Sequence, residues 1–481
     1  MNILLIQPNP YKVYRAYLPL GLAYVAGALR RSGHQVQVWD LTAAHGRPSQ
    51  AEPFIASLAG KVDLVGITGL TGDYPAIKWL ARTFKRFHPQ LPLVVGGHLA
   101  SALPEFVLRH LPVDIVVRGE GEQTVEELAR AIEDGSDLAQ IPGILFKDRN
   151  GGIVATPPRA PLADLSRLPL PPWDLFPMDV YLHKDPEGRG SSDSDSFVIG
   201  EMSIMASRGC PHHCIYCDHT IKGYRPRYRP VALVVDEIKA ALARFGDQIK
   251  LFYFWDDILI HDRQWTLAFC QALQQENLTI QWTCNGHVQR VDAPLMEAMK
   301  AAGCVKVRFG LESGSQQILD ALNKGVQLGQ AMAALKTCLR AGLQLTIYLL
   351  VGMKGETQAT IEETLSFMRQ LIRPATAYQI NTINTFLLTP FPGTRLFDEA
   401  RARGLVGDLD AFLEKGFDAS TDIPLNLSGL PDDELRRLKE YLAGQCNLLV
   451  KTNALRLHRI ISEINQTAEN HALPQKAGAV V

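Results

Sequence analysis

What the chain lacks narrows it first. No stretch approaches the ~18 consecutive apolar residues of a membrane span, so none is expected. The N-terminus, Met1-Asn2-Ile3-Leu4-Leu5-Ile6-Gln7-Pro8, has neither a basic lead nor a long apolar core, and no secretory signal is expected there. Charge of one sign is also missing: 49 Lys and Arg against 50 Asp and Glu leave a formal net charge of −1. Without an overall field, neither nucleic acid nor an anionic membrane surface is expected as a principal partner. Together these absences point to the cytoplasm, where the eight cysteines stay reduced, free to bind metal or to pack as small apolar groups. There is no fixed-period repeat.

What is present is the composition of an ordinary soluble protein, 46% hydrophobic and 21% charged over 481 residues, long enough for two or three domains. Apolar runs at 3–7, 35–40, 63–68, 93–97 and 114–119 read as strands, with helical patterns at 20–32, 74–88 and 122–134 among them. Strands alternating with helices imply parallel βαβ units, hence a doubly wound, flavodoxin-like α/β domain over 1–148. Ligands of such sheets sit beyond the carboxyl ends of the strands. Here those ends carry Thr68-Gly69-Leu70-Thr71-Gly72-Asp73, Gly96-Gly97-His98 and Arg118-Gly119-Glu120-Gly121-Glu122, where glycines let a backbone approach a bulky ligand.

Residues 149–198 are irregular, with a hairpin expected around Asn150-Gly151-Gly152, a proline-rich run 168–177 and a polar stretch 185–195; a partly mobile linker is expected. Periodicity resumes with strand-like runs at 203–207, 250–255, 279–284, 306–311, 343–351 and 379–386, all separated by helical stretches. Six β/α repeats suggest a parallel barrel or partial barrel over 199–403, with its site at the strands' C-terminal ends. A helical region 404–470, expected to cap the barrel's open face, and a disordered tail 471–481 complete the reading.

The strongest chemical signal is Cys210-Pro211-His212-His213-Cys214-Ile215-Tyr216-Cys217, directly after the barrel's first strand. Soft thiolates suit an iron–sulfur cluster or zinc, and a compact loop can wrap three of them around one centre. The alternatives are packing cysteines or a zinc site completed by His212, His213 or His219. Structural zinc takes four ligands, often in pairs on separate loops, and no second pair exists in the chain. The five other cysteines, Cys270, Cys284, Cys304, Cys338 and Cys446, are scattered singly and read as core packing.

Cys-x3-Cys-x2-Cys after the first strand of a β/α barrel resembles the radical S-adenosylmethionine (SAM) superfamily. That resemblance implies that Cys210, Cys214 and Cys217 ligate a [4Fe-4S] cluster whose open iron chelates SAM, and that one electron splits SAM into methionine and a 5′-deoxyadenosyl radical. It places Tyr216 near the adenine. It gives Asp256 and Asp257, in Trp255-Asp256-Asp257, to SAM's amino group, where two carboxylates suit an ammonium; a solvated strand end is the alternative. Asn285, and Arg308, Glu312 and Ser313 at the end of the fourth strand, resemble the segments that reach the ribose and methionine moieties. Gly352-Met353-Lys354-Gly355-Glu356-Thr357 and Pro390-Phe391-Pro392-Gly393-Thr394 are familiar from the same superfamily, or are turn chemistry with a helix cap.

The flavodoxin-like domain in front of the barrel, with Pro19-Leu20-Gly21-Leu22, Gly96-Gly97 and Arg-Gly-Glu-Gly-Glu, resembles the cobalamin-binding radical SAM subfamily. By that resemblance Thr68, Leu70, Gly96, Gly97, Gly119 and Glu120 hold cobalamin. The sequence departs from cobalt-ligating relatives in lacking Asp-x-His-x-x-Gly, so cobalt has no histidine from that motif; a domain binding nothing is the alternative. The basic run Lys222-Gly223-Tyr224-Arg225-Pro226-Arg227-Tyr228-Arg229 could meet SAM's carboxylate, cobalamin's phosphate or an anionic substrate, or be a solvated loop. The implied activity is methylation of an unactivated carbon of a small molecule by a class B radical SAM methyltransferase, supplied with electrons by a flavodoxin or ferredoxin. Cobalamin-dependent cyclisation, ring contraction or rearrangement is the second reading, and a non-catalytic cobalamin-binding protein the third. A methylthiotransferase is disfavoured, since those carry three further N-terminal cysteines and none precedes Cys210 here.

Overall fold

The computed structural model describes the chain apart from residues 9–16, 44–47, 183–199, 222, 377–378, 417–421 and 472–481. The polar stretch 185–195, Lys222 and, beyond His471, the tail lie outside the described residues.

The first sheet has seven strands: β1 (Asn2–Gln7), β2 (Gln35–Asp40), β3 (Leu64–Thr68), β4 (Leu93–Gly96), β5 (Ile115–Val117), β6 (Ile144–Lys147) and β7 (Ile153–Ala155), in the order β2-β1-β3-β4-β5-β6-β7. β1 to β5 are parallel. Their apolar runs are continuous because both faces are covered. Ile3 and Leu5 of β1 pack with Leu22 and Leu29 of the helix Leu20–Arg31, whereas Leu4 and Ile6 pack with Ile77, Leu80 and Phe84 of the helix Tyr74–Phe87.

The hairpin around Asn150-Gly151-Gly152 is present, and it extends this sheet: β6 pairs antiparallel with β5, and β7 antiparallel with β6. The sheet therefore reaches past residue 148 into the segment expected as a linker. The chain after β7 is irregular but not free, because Leu165, Trp173, Phe176 and Tyr181 are buried and the Tyr181 hydroxyl donates to Asp40 Oδ2 at 2.5 Å. Apolar side chains spaced along a proline-rich run dock it onto both domains.

The second sheet contains β8 (Glu201–Ile204), β11 (Leu251–Phe254), β12 (Trp282–Gly286), β13 (Cys304–Glu312), β14 (Gln344–Val351) and β15 (Ile380–Leu387), all parallel, in the order β15-β14-β13-β12-β11-β8. A short antiparallel pair, β9 (Ser207–Arg208) and β10 (Arg227–Tyr228), stands apart from it and brackets the cysteine loop. Since β8 and β15 are the ends of this order, the barrel is open. The helix Asp432–His471 packs against β15 and the helix Gln358–Ile372, burying Leu435, Leu438, Leu442 and Cys446. It lines the open edge of the sheet. The helix Leu409–Glu414 instead reaches the first domain, where Lys78 Nζ lies 2.8 Å from Asp410 and 2.6 Å from Glu414.

Candidate active site

Gly209 takes φ +100°, a value that favours glycine, and turns the chain from β9 into the cysteine loop. Cys210, Cys214 and Cys217, none of them in a disulfide, line one cavity of about 350 Å³ at the C-terminal ends of the barrel strands. Among the described residues no three His, Cys, Asp or Glu side chains are grouped to hold a single metal ion. The other five cysteines are buried, and burial pushes the thiols of Cys270, Cys338 and Cys446 up to about 12.

Asp257, Asn285, Arg308, Glu312 and Tyr216 all line this cavity. The Arg308 guanidinium lies 4.0 Å above the Tyr253 ring, and its Nη1 donates to Thr283 Oγ1 at 2.5 Å. Asn285 is held from two sides, its Nδ2 donating to the Asp256 carbonyl at 2.9 Å and its Oδ1 accepting from Tyr253 at 3.2 Å. Glu312 has φ +69°, a conformation that costs a non-glycine residue about 1–3 kcal/mol and clusters at functional sites. Its carboxylate accepts from the Tyr216 hydroxyl at 2.9 Å and from Lys324 Nζ at 2.8 Å. Burial, then the charge of Glu312, holds the Tyr216 phenol well above its usual value.

Two of the residues expected at SAM lie elsewhere. Asp256 is fully buried, accepting from the Ala206 amide at 3.1 Å and from the Ser207 hydroxyl; it ties β11 to the strand end before the cysteine loop. Burial pushes its carboxyl up to about 7, although those hydrogen bonds oppose the shift. Ser313 is buried against Thr364, 3.2 Å away, and does not line the cysteine cavity. The later motifs are turn and cap chemistry: Thr357 and Thr394 cap the helices that follow them, with 3.3 and 3.1 Å bonds from the amides of Thr360 and Phe397.

Sequence reasoning missed Lys324 and His287 and gave His212 only a zinc role. The His212 and His287 rings stack at 3.8 Å. Burial, then the nearby Lys324 ammonium, lowers His212 to about 4 and His287 to about 2. Both are therefore neutral at pH 7, and the Nε2 of each is buried without a partner. Asn323-Lys324-Gly325 reads as a solvated turn, and no local signal betrays its partner.

A second cavity, about 410 Å³, lies beyond the carboxyl ends of β3, β4 and β5, between the two domains. Thr68, Gly96, Gly97, Gly119 and Glu120 line it from the first domain, and Met205, Arg208, Trp255 and Asp257 from the barrel. A Cβ on Gly97, at φ +87°, would stand 2.8 Å from the Gly69 carbonyl, whereas one on Gly21 or Gly119 would meet nothing within 4 Å. Gly97 is thus a close-packing glycine, while Gly21 and Gly119 leave room for a ligand. Leu70 is 59% exposed and lies outside the cavity. Glu120 is taken up by protein partners, receiving the Leu162 amide at 2.6 Å and Arg227 at 2.8 Å. Two cations of the basic run are spent in the same way, Arg227 on Glu120 and Arg229 on Glu237 at 2.6 Å. Asp257 belongs to both cavities.

The radical SAM superfamily model matches residues 204–368, and the B12 binding domain model matches residues 12–129. An uncharacterised methyltransferase of Pyrococcus horikoshii is 32% identical over 419 residues, covering 84% of each chain. The chain belongs to the radical SAM superfamily, in the branch that carries a B12-binding domain. This radical SAM protein is also 28% identical to the anaerobic magnesium-protoporphyrin IX monomethyl ester cyclase of Rubrivivax gelatinosus, over 86% of this chain and 72% of that one. Its fold is shared by TsrM, a radical SAM methyltransferase of Kitasatospora setae solved with cobalamin and a [4Fe-4S] cluster, at a TM-score of 0.66 and 23% identity over 84% of this chain and 75% of that one. OxsB, a cobalamin-dependent SAM radical enzyme, aligns with a TM-score of 0.70 at 17% identity, over 92% of this chain and 66% of that one. Among the described residues no helix is long and apolar enough to cross a membrane.

The residues present fit the cofactors of this branch. Three thiols and two orphaned imidazole nitrogens face one cavity, a donor set suited to a thiolate-held cluster and a polar co-substrate. The second cavity is rimmed by glycine and sits where doubly wound sheets bind ligands.

Proposed function

We propose that the protein is a cobalamin-dependent radical SAM methyltransferase acting on an unactivated carbon of a small molecule. The observation that carries this reading is that the cysteine cavity and the glycine-rimmed cavity meet at one side chain, Asp257, so one acceptor can reach both. When bound, the [4Fe-4S] cluster with SAM supplies a carbon radical and cobalamin supplies a methyl group; the protein supplies placement and exclusion of side reactions.

Cys210, Cys214 and Cys217 would hold the cluster. Asp257 and Asn285 offer acceptors to SAM's ammonium, and Arg308 a donor to its carboxylate. Thr68, Gly96, Gly97 and Gly119 would receive cobalamin. The stacked His212 and His287, kept neutral, add no positive charge beside the thiolates. Trp255, 41% exposed and lining the glycine-rimmed cavity, with the Tyr17 ring 5.3 Å from it, would offer the acceptor an apolar surface. In the helical region 404–470, the helix Asp432–His471 lies along the barrel's open edge, where it would shape the approach to that pocket. A flavodoxin or ferredoxin in the cytoplasm would deliver the electron.

The test is anaerobic reconstitution with iron, sulfide and hydroxocobalamin, followed by assay for 5′-deoxyadenosine and for transfer of label from methyl-labelled SAM. Absence of cluster absorbance and of SAM cleavage sinks the enzyme reading. The similarity to the cyclase favours one second reading, a cobalamin-dependent cyclisation or rearrangement, which would give an unlabelled, rearranged product.

A further inference from the structure

We infer that four buried charges, Glu120 and Glu122 of the first domain and Arg208 and Arg227 of the barrel, hold the cysteine loop at a fixed spacing from the cobalamin cavity. They are positioning residues. Their side chains are between 5% and 11% exposed. Arg208 Nη2 donates to Glu122 Oε1 at 2.5 Å, its Nη1 lies 3.5 Å from Glu120, and Arg227 grips both Glu120 oxygens at 2.8 and 3.0 Å.

Their position gives the network its meaning. Arg208 closes β9 and Arg227 opens β10, and the two residues face each other across that antiparallel pair. The segment between them is the loop that carries all three cluster cysteines, so both of its ends are fastened to one carboxylate, Glu120, just beyond β5. Arg208 also stands 5.6 Å over the ring of Tyr24, from the first domain. Across the same gap, His98 Nδ1 meets Asp218, the residue after Cys217, at 2.9 Å. A buried ion pair is weak evidence of stabilisation, because desolvation offsets its attraction, but it strongly penalises any arrangement that separates the partners. Charges so arranged select one docking of two rigid bodies.

The inference rests on the proposed function, and its test separates the two. The full-length protein is reconstituted anaerobically with iron, sulfide and hydroxocobalamin, brought to the reduced cluster and cob(II)alamin, and its paramagnetic resonance spectrum recorded. Wild type should give a single magnetically coupled spectrum. Arg227→Gln, chosen because Arg227 lines neither cavity, should keep its iron and cobalamin content but lose that uniformity, showing coupled and uncoupled fractions together. Arg227→Lys should fall between, since an ammonium cannot span both carboxylate oxygens as a guanidinium does. Glu122→Gln, which breaks the other pair, serves as the second variant where the first fails to fold. Coupling identical to wild type in the loaded variants overturns the positioning role. Wild type that takes up neither cofactor overturns the proposed function, and the inference with it.

Discussion

Replacing Lys324 with methionine isolates a buried cation that sequence reasoning missed. Lys324 Nζ lies 2.8 Å from Glu312 Oε1 and 3.1 Å from the Tyr216 hydroxyl, and the two charged side chains are 9% and 8% exposed. On a surface such a pair is worth about 0–1 kcal/mol. Buried, it behaves differently: burial works against the ammonium, but Glu312 and then Cys214 outweigh that and hold its pKa above the usual lysine value. Removing the lysine leaves Glu312 in the interior with a single phenol as donor, a change that costs about 3–5 kcal/mol. At roughly 2–4 °C per kcal/mol for a domain of this size, the barrel's thermal midpoint should fall by about 6–20 °C, read by scanning fluorimetry of the apoprotein. The double variant Glu312→Gln/Lys324→Met should regain most of the loss, because it leaves no stranded charge. A single variant within about 0.5 kcal/mol of wild type, the range of an ordinary surface change, would refute this account. So would a double variant whose loss equals the sum for the two single ones.

The remaining predictions concern other parts of the two cavities. Asp256 keeps its proton to about pH 7 when folded and loses it from about pH 4 when unfolded. Its contribution is therefore complete at low pH, declines as pH rises from about 4 to 7, and is level above that, a change of roughly 4 kcal/mol. Denaturant titrations of Asp256→Asn should show a flatter profile across that window, the residual slope coming from groups such as Asp73, which burial raises to about 6; an unaltered slope contradicts the assignment. Gly97→Ala forces a Cβ to within 2.8 Å of the Gly69 carbonyl at positive φ and should destabilise by about 2–4 kcal/mol, strain and overpacking together. Gly21→Ala meets nothing and sits in a helix, so it should be stable yet bind hydroxocobalamin more weakly in equilibrium dialysis, since its methyl enters the cavity. Alkylation of the native apoprotein should label Cys210 and Cys217 first and leave Cys270, Cys284, Cys304, Cys338 and Cys446 unmodified; mass spectrometry of the peptides decides it.

Much of the fold could be read from the sequence because parallel strands covered on both faces leave uninterrupted apolar runs, and β1 and β2 begin and end within a residue of those runs. The hairpin at Asn150-Gly151-Gly152 was visible through its turn residues. Its membership of the first sheet was not, since the pairing of β6 with β5 joins Ile144 to Val117 across a whole helix. In the site, the three cysteines announce themselves by spacing. Trp255-Asp256-Asp257 does not resolve itself: neighbouring side chains at a strand end point in opposite directions, and only the packing of Ala206 and Ser207 against Asp256 decides that Asp257 faces the cavities.

The charged residues in and beside the recognisable motifs were not legible in the sequence as partners across the domain boundary, and they share a physical task. Arg208 stands before Gly209 and Cys210, Asp218 follows Cys217, His98 follows Gly96-Gly97, and Glu120 and Glu122 flank Gly121. Each motif sits at the C-terminal end of a strand, so the two sets of loops confront one another when the domains dock. A cofactor cavity made by two bodies needs its walls held at one spacing, and ligand-binding residues cannot do this because they must stay free for the ligand. Opposite charges one or two positions away can, since docking buries them and any other docking leaves them unpaired. This accounts for Glu120, which the resemblance assigned to cobalamin, pointing its carboxylate at Arg227 instead.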